Sequence, residues 1–293
     1  DDFNDFNDFC SKVVLSSDLD DVFLDFRTLA YYGGLMDNEL KLHLSGPVTG
    51  TISNLAGKDM KVESGTGRST IEMDFNLNGL PKTDETIASV QLKEASTDTR
   101  DIARILDELS PKSPKSTLWK IAPGERLNFK GSLDGMFEDM VAFGRLTTER
   151  MGKADVDIIC RLEESGEYTI DGHVSTENLD LGRIAGSESL GRLDCESGVS
   201  ATFGEKMRIE IDSLDVSRLG LLGYDYSALS VQGVLTDDDF NGSVTARDPN
   251  LDMDFTGGVS FMLKDERRDR LYDKYKFKLS LNNANLDELK LDS

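Results

Sequence analysis

Apolar and polar residues alternate one for one over long stretches of this chain, and that period constrains the fold more than any other feature. Ile71-Glu-Met73-Asp-Phe75-Asn-Leu77 puts every apolar residue on one side. Ala154-Asp-Val156-Asp-Ile158-Ile-Cys160-Arg-Leu162 nearly does so, and Leu251-Asp-Met253-Asp-Phe255-Thr-Gly257-Gly-Val259 and Tyr275-Lys-Phe277-Lys-Leu279-Ser-Leu281 continue the pattern. A period of two is the signature of a strand, because successive side chains point to opposite faces of a sheet. One face is then dry and the other wet, as in antiparallel sheets covered on one side.

Short polar clusters divide the runs. Glu163-Glu-Ser-Gly166-Glu, Ser64-Gly-Thr-Gly67 and Thr236-Asp-Asp-Asp239 read as hairpin turns, giving a long antiparallel meander. One segment departs from the pattern. Ile102, Ile105, Leu106 and Leu109 recur at helical spacing, Thr97 or Asp98 supplies a cap, and Ser110-Pro111 ends the run. The expected organisation is a first β segment over 1–96, a short amphipathic helix and Pro-containing linker over 97–115, and a second β segment over 116–293 that continues the same groove.

Two strings recur. Leu42-His-Leu-Ser-Gly46-Pro-Val-Thr-Gly50 matches Leu127-Asn-Phe-Lys-Gly131-Ser-Leu-Asp-Gly135 position by position, and Met253-x-Phe255-x-Gly257-x-Val259 carries most of it again. Leu179-Asp-Leu-Gly-Arg183-Ile, Leu214-Asp-Val-Ser-Arg218-Leu and Leu286-Asp-Glu-Leu-Lys290-Leu begin about one and two periods of about 36 residues apart. Both suggest a repeating unit of a few strands.

Chemistry-bearing residues are sparse. His43 and His173 sit at polar strand positions, and neither has a Cys, Asp or Glu at metal-ligand spacing in the sequence. Nucleophile elbows, phosphate loops and dinucleotide fingerprints are absent. Asp18-Leu-Asp20-Asp21 and Asp237-Asp-Asp239 miss the calcium-loop pattern and read as turn residues. Cys10, Cys160 and Cys195 cannot form a disulfide framework, and Cys160 alternates with its apolar neighbours as a small hydrophobe would. The expectation is a non-enzymatic chain without cofactor or metal. A hydrolase would need clustered carboxylates in a cleft. A net charge of −22 repels phosphate backbones, which argues against nucleic acid as partner. The chain opens Asp1-Asp2-Phe3 without an initiator Met and reads as part of something longer.

What remains is the dry face, carried by Val156, Ile158, Leu162, Ile170, Val174, Met253, Phe255, Phe277 and Leu279. Alternation alone favours a closed β-sandwich, in which two sheets bury each other's apolar faces, as in an envelope adhesion or glycan-binding module. The other reading is one curled sheet whose apolar face lines a groove for acyl chains.

Several strings resemble the TamB family of Bacteroidetes envelopes, within the wider AsmA-like group. They are Leu42-x-Leu-x-Gly-Pro-Val-x-Gly-x-Ile-Ser-Asn-Leu, Phe75-Asn-Leu-Asn-Gly-Leu-Pro81, the run Leu127 to Gly144, Arg247-Asp-Pro-Asn-Leu-Asp-Met-Asp-Phe-Thr-Gly257, and Asn282-Asn-Ala-Asn-Leu-Asp-Glu-Leu-Lys-Leu291. The resemblance extends over residues 38–137 and 171–292. The resemblance implies an all-β, elongated, curled antiparallel sheet (a β-taco) carrying one short amphipathic helix, apolar inside and hydrophilic outside. It implies a periplasmic lipid-conduit or scaffold segment of a protein anchored in the inner membrane. Such proteins are implicated in phospholipid transport to the outer membrane and in outer-membrane protein assembly. Phospholipid acyl chains are then the expected partner, and an outer-membrane barrel protein would be met through other parts of the full-length chain. The family brings no catalytic residues.

Overall fold

The computed structural model describes residues 8–25, 27, 41–102, 124–136, 138–163, 165–204, 206–265 and 270–291. The chain is almost all β, and it divides into two compact units, Asp1–Arg150 and Met151–Ser293.

The first unit carries strands β1 (Leu15–Asp25), β2 (Lys41–Thr51), β3 (Asn54–Ser64), β4 (Thr70–Asn78), β5 (Ile87–Asp98), β6 (Arg126–Met136) and β7 (Asp139–Thr148), after a single-turn helix α1 (Phe9–Lys12). Each strand pairs antiparallel with the next in sequence. Registers align the apolar positions into ranks that cross the strands. Val22 faces Leu44, Leu44 faces Val62, Val62 faces Ile71, and the line continues through Ala95 and Phe129 to Leu146.

The second unit carries β8 (Lys153–Leu162), β9 (Tyr168–Asp180), β10 (Leu190–Phe203), β11 (Met207–Leu221), the short β12 (Tyr224–Tyr226), β13 (Leu229–Thr236), β14 (Asp239–Asp248), β15 (Leu251–Asp265) and β16 (Arg270–Ala284). A short helix α2 (Leu181–Ala185) joins β9 to β10. The path again follows the chain, with β12 pairing only β11. Within each unit the first and last strands do not pair with each other, so neither sheet closes into a barrel. All the strands of a unit belong to one sheet, so the second layer of a sandwich is absent within either unit among the described residues.

Alternation is preserved even where it slips in the sequence. In Ile209-Glu-Ile211-Asp-Ser-Leu214-Asp-Val216 the apolar phase shifts by one residue at Asp212-Ser213. The pairing of β11 with both neighbours shifts at the same place, so Ile211 and Leu214 stay on one face. A β-bulge absorbs one residue in this way and keeps the dry face dry. β3 does the same between Gly57 and Met60. There the backbone of Asp59 turns to φ 51°, and its N–H donates to the Asp74 carboxylate at 2.6 Å. Lys93 bonds both Asp59 and Asp74, pinning the bulge from the wet side.

The hairpin turns fall where the polar clusters place them. Leu235 stands opposite Phe240 across Thr236–Asp239, and Glu163 N–H donates to Glu167 O at 2.8 Å. Where the amphipathic helix is expected, residues 99–102 are helical and are capped by Asp98, whose side chain accepts from the N–H groups of Arg100 and Asp101 at 2.9 Å each. Ile105, Leu106, Leu109 and the Pro-containing linker lie outside the described residues. The strands on either side, β5 and β6, pair directly, from Ile87 opposite Met136 to Asp98 opposite Arg126.

The two repeated strings fare differently. Leu42–Gly50 and Leu127–Gly135 occupy matching stretches of β2 and β6. The Leu-Asp string takes three conformations instead of one. Its first copy starts α2, where Asp180 caps Arg183 N–H at 3.0 Å; its second lies inside β11; its third forms the turn at 286–290. It is therefore not a structural repeat. An alternating Leu-Asp pair suits a strand, a cap and a turn equally, so six residues leave the backbone undetermined.

Candidate functional site: the apolar face

Registers in the second unit bring all the expected face residues to one side. Val156 stands opposite Val174 and Cys160 opposite Ile170, while Leu162 meets Tyr168. Farther across, Phe255 opposes Leu279, Gly257 opposes Phe277 and Met253 opposes Leu281. The intervening strands fill the gap. One rank runs from Val156 and Val174 through Ser197, Leu214, Val231 and Val244 to Phe255 and Leu279. The next runs from Ala154 through Cys195, Val216, Leu229 and Ala246 to Met253 and Leu281. The Phe255 and Phe277 rings lie 5.3 Å apart between neighbouring ranks.

None of the nine expected residues is buried. Phe277 keeps 51% of its surface exposed, Leu279 49% and Leu162 37%. Burial concentrates at one end of the face, where Val216, Ala246 and Tyr226 are buried and Leu289, in the turn at 286–290, is fully enclosed. That turn is tied down by Asn285 N–H on Asn250 O at 2.9 Å and by the Lys290 ammonium on Gly223 O. Asp248 holds the same end. Its carboxylate accepts from Tyr224 O–H at 2.6 Å and from the Ser227 hydroxyl and N–H at 2.8 Å each. Burial raises its pKa, but the Tyr224, Asn250 and Ser227 hydrogen bonds outweigh this and leave it lowered.

Two concavities are described in this unit. The larger, of about 950 Å³, is lined by Arg208, Asn241, Thr256, Lys274, Lys276 and Lys278 among others; of the expected face residues only Phe277 borders it. The second, of about 620 Å³, is lined by Ser175, Glu196, Asp215, Ser230 and Arg247 together with Cys195, Val216 and Leu229 of the apolar ranks. The lysine row was in plain view in the Tyr275–Leu281 alternation. Only its pairing opposite the uncharged Ser260, Gly258 and Thr256 needed the register.

His43 Nδ1 pairs with Asp21 at 2.7 Å and His173 Nε2 with Glu196 at 3.0 Å, each on an exposed strand surface. These partners come from neighbouring strands, which local spacing in the sequence could not reveal. Among the described residues no cluster of three His, Cys, Asp or Glu side chains could hold a metal ion. No described helix is long and apolar enough to cross a membrane. Cys160 and Cys195 lie on the apolar face, and burial pushes both thiols up, with a Thr176 hydrogen bond partly offsetting this at Cys195. No protein-family model matches the chain, and neither a characterised protein nor a solved structure matches it.

Proposed function

We propose that this chain is a non-catalytic, lipid-handling segment of the cell envelope, whose apolar sheet face serves as a passive track or scaffold for phospholipid acyl chains. One observation carries the reading. Apolar ranks run in register across β8 to β16, and the large side chains at β16 remain about half exposed. Soluble chains seldom leave a contiguous apolar surface of that extent uncovered unless something binds it. An acyl chain laid along a rank gains about 0.8 kcal/mol per buried methylene, enough for weak, mobile binding without a polar clamp. The resemblance to TamB-like sequences supports the same reading; it implies a periplasmic setting and an outer-membrane barrel partner contacted by other parts of a longer protein.

The test is photo-crosslinking in cells from Ile158 and Phe255, with Asp157 and Asp254 as wet-side controls. Lipid adducts confined to the first pair are expected. Equal adducts from both faces, or from neither, would leave a purely structural β domain.

A further inference from the structure

β16 ends the strand path of the second unit, and no described strand pairs with its outer edge. Its two faces carry different chemistry. On the wet side Lys274, Lys276 and Lys278 stand opposite Ser260, Gly258 and Thr256 of β15, none of which bears a charge. With Arg208 and the polar groups of Asn241, Thr256 and Ser260, they border the concavity of about 950 Å³. Asp239, opposite Ser260 on β14, is the one acidic residue lining that concavity, against four cations in a chain of net charge −22. On the dry side Tyr275, Phe277, Leu279 and Leu281 end four apolar ranks, exposed by 58%, 51%, 49% and 54%.

Alternate residues of a strand lie about 6.7 Å apart, so this lysine row matches carboxylates placed at every second residue of a neighbouring strand. Opposed side chains of paired strands stand about 5 Å apart, within reach of a Lys–carboxylate contact. A strand added there would also extend each apolar rank by one column and pair with the main chain of an edge that no described strand occupies. A small anion would use only the lysines, leaving the apolar row and the main-chain edge untouched.

We propose that β16 is a docking edge for an extended polypeptide strand that carries carboxylates at alternate positions with apolar residues between them, captured by β-augmentation. The lysines select for acid on the wet face, and the apolar row fixes the register. Docking is independent of whether the apolar face carries lipid.

The experiment uses the whole chain and fluorescence anisotropy with three labelled peptides. One alternates Asp and Val; the second has the same composition in the order Asp-Asp-Val-Val; the third is the alternating peptide N-methylated at every second residue. The alternating peptide should bind at least about tenfold more tightly than either control, as expected for several matched cross-strand pairs. Its binding should weaken as salt rises. The K274E/K276E/K278E variant, checked for folding by circular dichroism, should lose that peptide and gain affinity for an alternating Lys-Val peptide. The methylated peptide keeps the test valid even where the variant fails to fold, since it leaves the protein unchanged. Equal binding of the first two peptides, or displacement by millimolar inorganic phosphate, would overturn the proposal in favour of a general anion patch. Equal binding of methylated and unmethylated peptides would remove the main-chain pairing it requires. Absence of binding by all three would leave the lysines as guards of an exposed edge.

Discussion

Gly233 and Gly242 oppose each other across β13 and β14 so closely that a Cβ on Gly233 would stand 2.6 Å from the Gly242 Cα, and one on Gly242 2.8 Å from the Gly233 Cα. Gly257 continues the line on β15, opposite Gly242. Gly233 and Gly257 have φ of 148° and 152°, a region that side chains seldom enter. Bare backbone thus crosses the middle of the apolar face, where any side chain would push the strands apart. Gly242→Ala should therefore cost about 1–3 kcal/mol by forcing the backbones apart. Gly198→Ala, whose added methyl would meet nothing within 4 Å, should be neutral or stabilising by up to about 1 kcal/mol. Urea unfolding of the two variants decides it, and similar losses in both would show that the close approach does not control stability.

Asp101 anchors the start of the helix to the turn between β3 and β4. Its carboxylate accepts hydroxyl bonds from Ser69 at 2.6 Å, Ser64 at 2.7 Å and Thr66 at 2.8 Å. Burial raises the pKa, but these donors outweigh it and leave it lowered. A carboxyl whose folded pKa is depressed contributes stability that is complete above its unfolded value, near 3.9, and is lost as pH falls through the folded value. Acid titration should accordingly weaken the first unit below about pH 4. Asp101→Asn should lower stability at neutral pH and flatten that acid-side loss. Unfolding curves at pH 7 and pH 3 test this, and an unchanged acid slope in the variant would remove Asp101 as its source.

Glu125 is enclosed, and its carboxylate accepts from Arg150 N–H at 2.6 Å and from Arg150 Nε at 2.9 Å. The backbone of Glu125 also receives Thr99 N–H at 3.1 Å, so one residue ties the ends of β5, β6 and β7 together. Arg150→Ala leaves the buried carboxylate with its main-chain donor alone and should cost about 2 kcal/mol. Glu125→Gln in that background removes the orphaned charge and should recover part of the loss. Melting temperatures of the single and double variants check the order, and an unaltered Arg150→Ala variant would show the pair to be dispensable.

Period-two alternation made the dry face legible because one-residue spacing alone assigns Val156, Ile158, Phe255 and Leu279 to a side. Turn chemistry made the hairpins legible for the same local reason. What escaped the sequence depends on pairs far apart. Ser64 and Asp101 meet across 37 residues, and the pairing of Lys274–Lys278 opposite the uncharged Ser260, Gly258 and Thr256 needed the register. The bulge at Asp212-Ser213 was written in the sequence as a phase slip, but only the partners on β10 and β13 show that it conserves the face. The Leu-Asp string misled because its pattern is compatible with three backbones.

Cys160 and Cys195 offer a direct probe of what occupies the apolar face. Cys160 stands opposite Ile170, and Cys195 lies between Thr176 and Val216. Burial raises both thiol pKa values, so less thiolate is present near neutral pH and alkylation slows, because the thiolate is the nucleophile. Both should therefore react with iodoacetamide more slowly in the folded chain than in urea, and the rate should keep climbing as pH rises past the ordinary thiol value. Cys10, in α1 outside these ranks, serves as the reference. Where acyl chains lie on the face, a lysophospholipid added below its solubilising concentration should slow Cys160 and Cys195 further and leave Cys10 unchanged, as read by mass spectrometry of each peptide. Equal slowing at all three cysteines would point to general coating by the lipid, and no slowing at Cys160 or Cys195 would mean that the ranks do not take acyl chains.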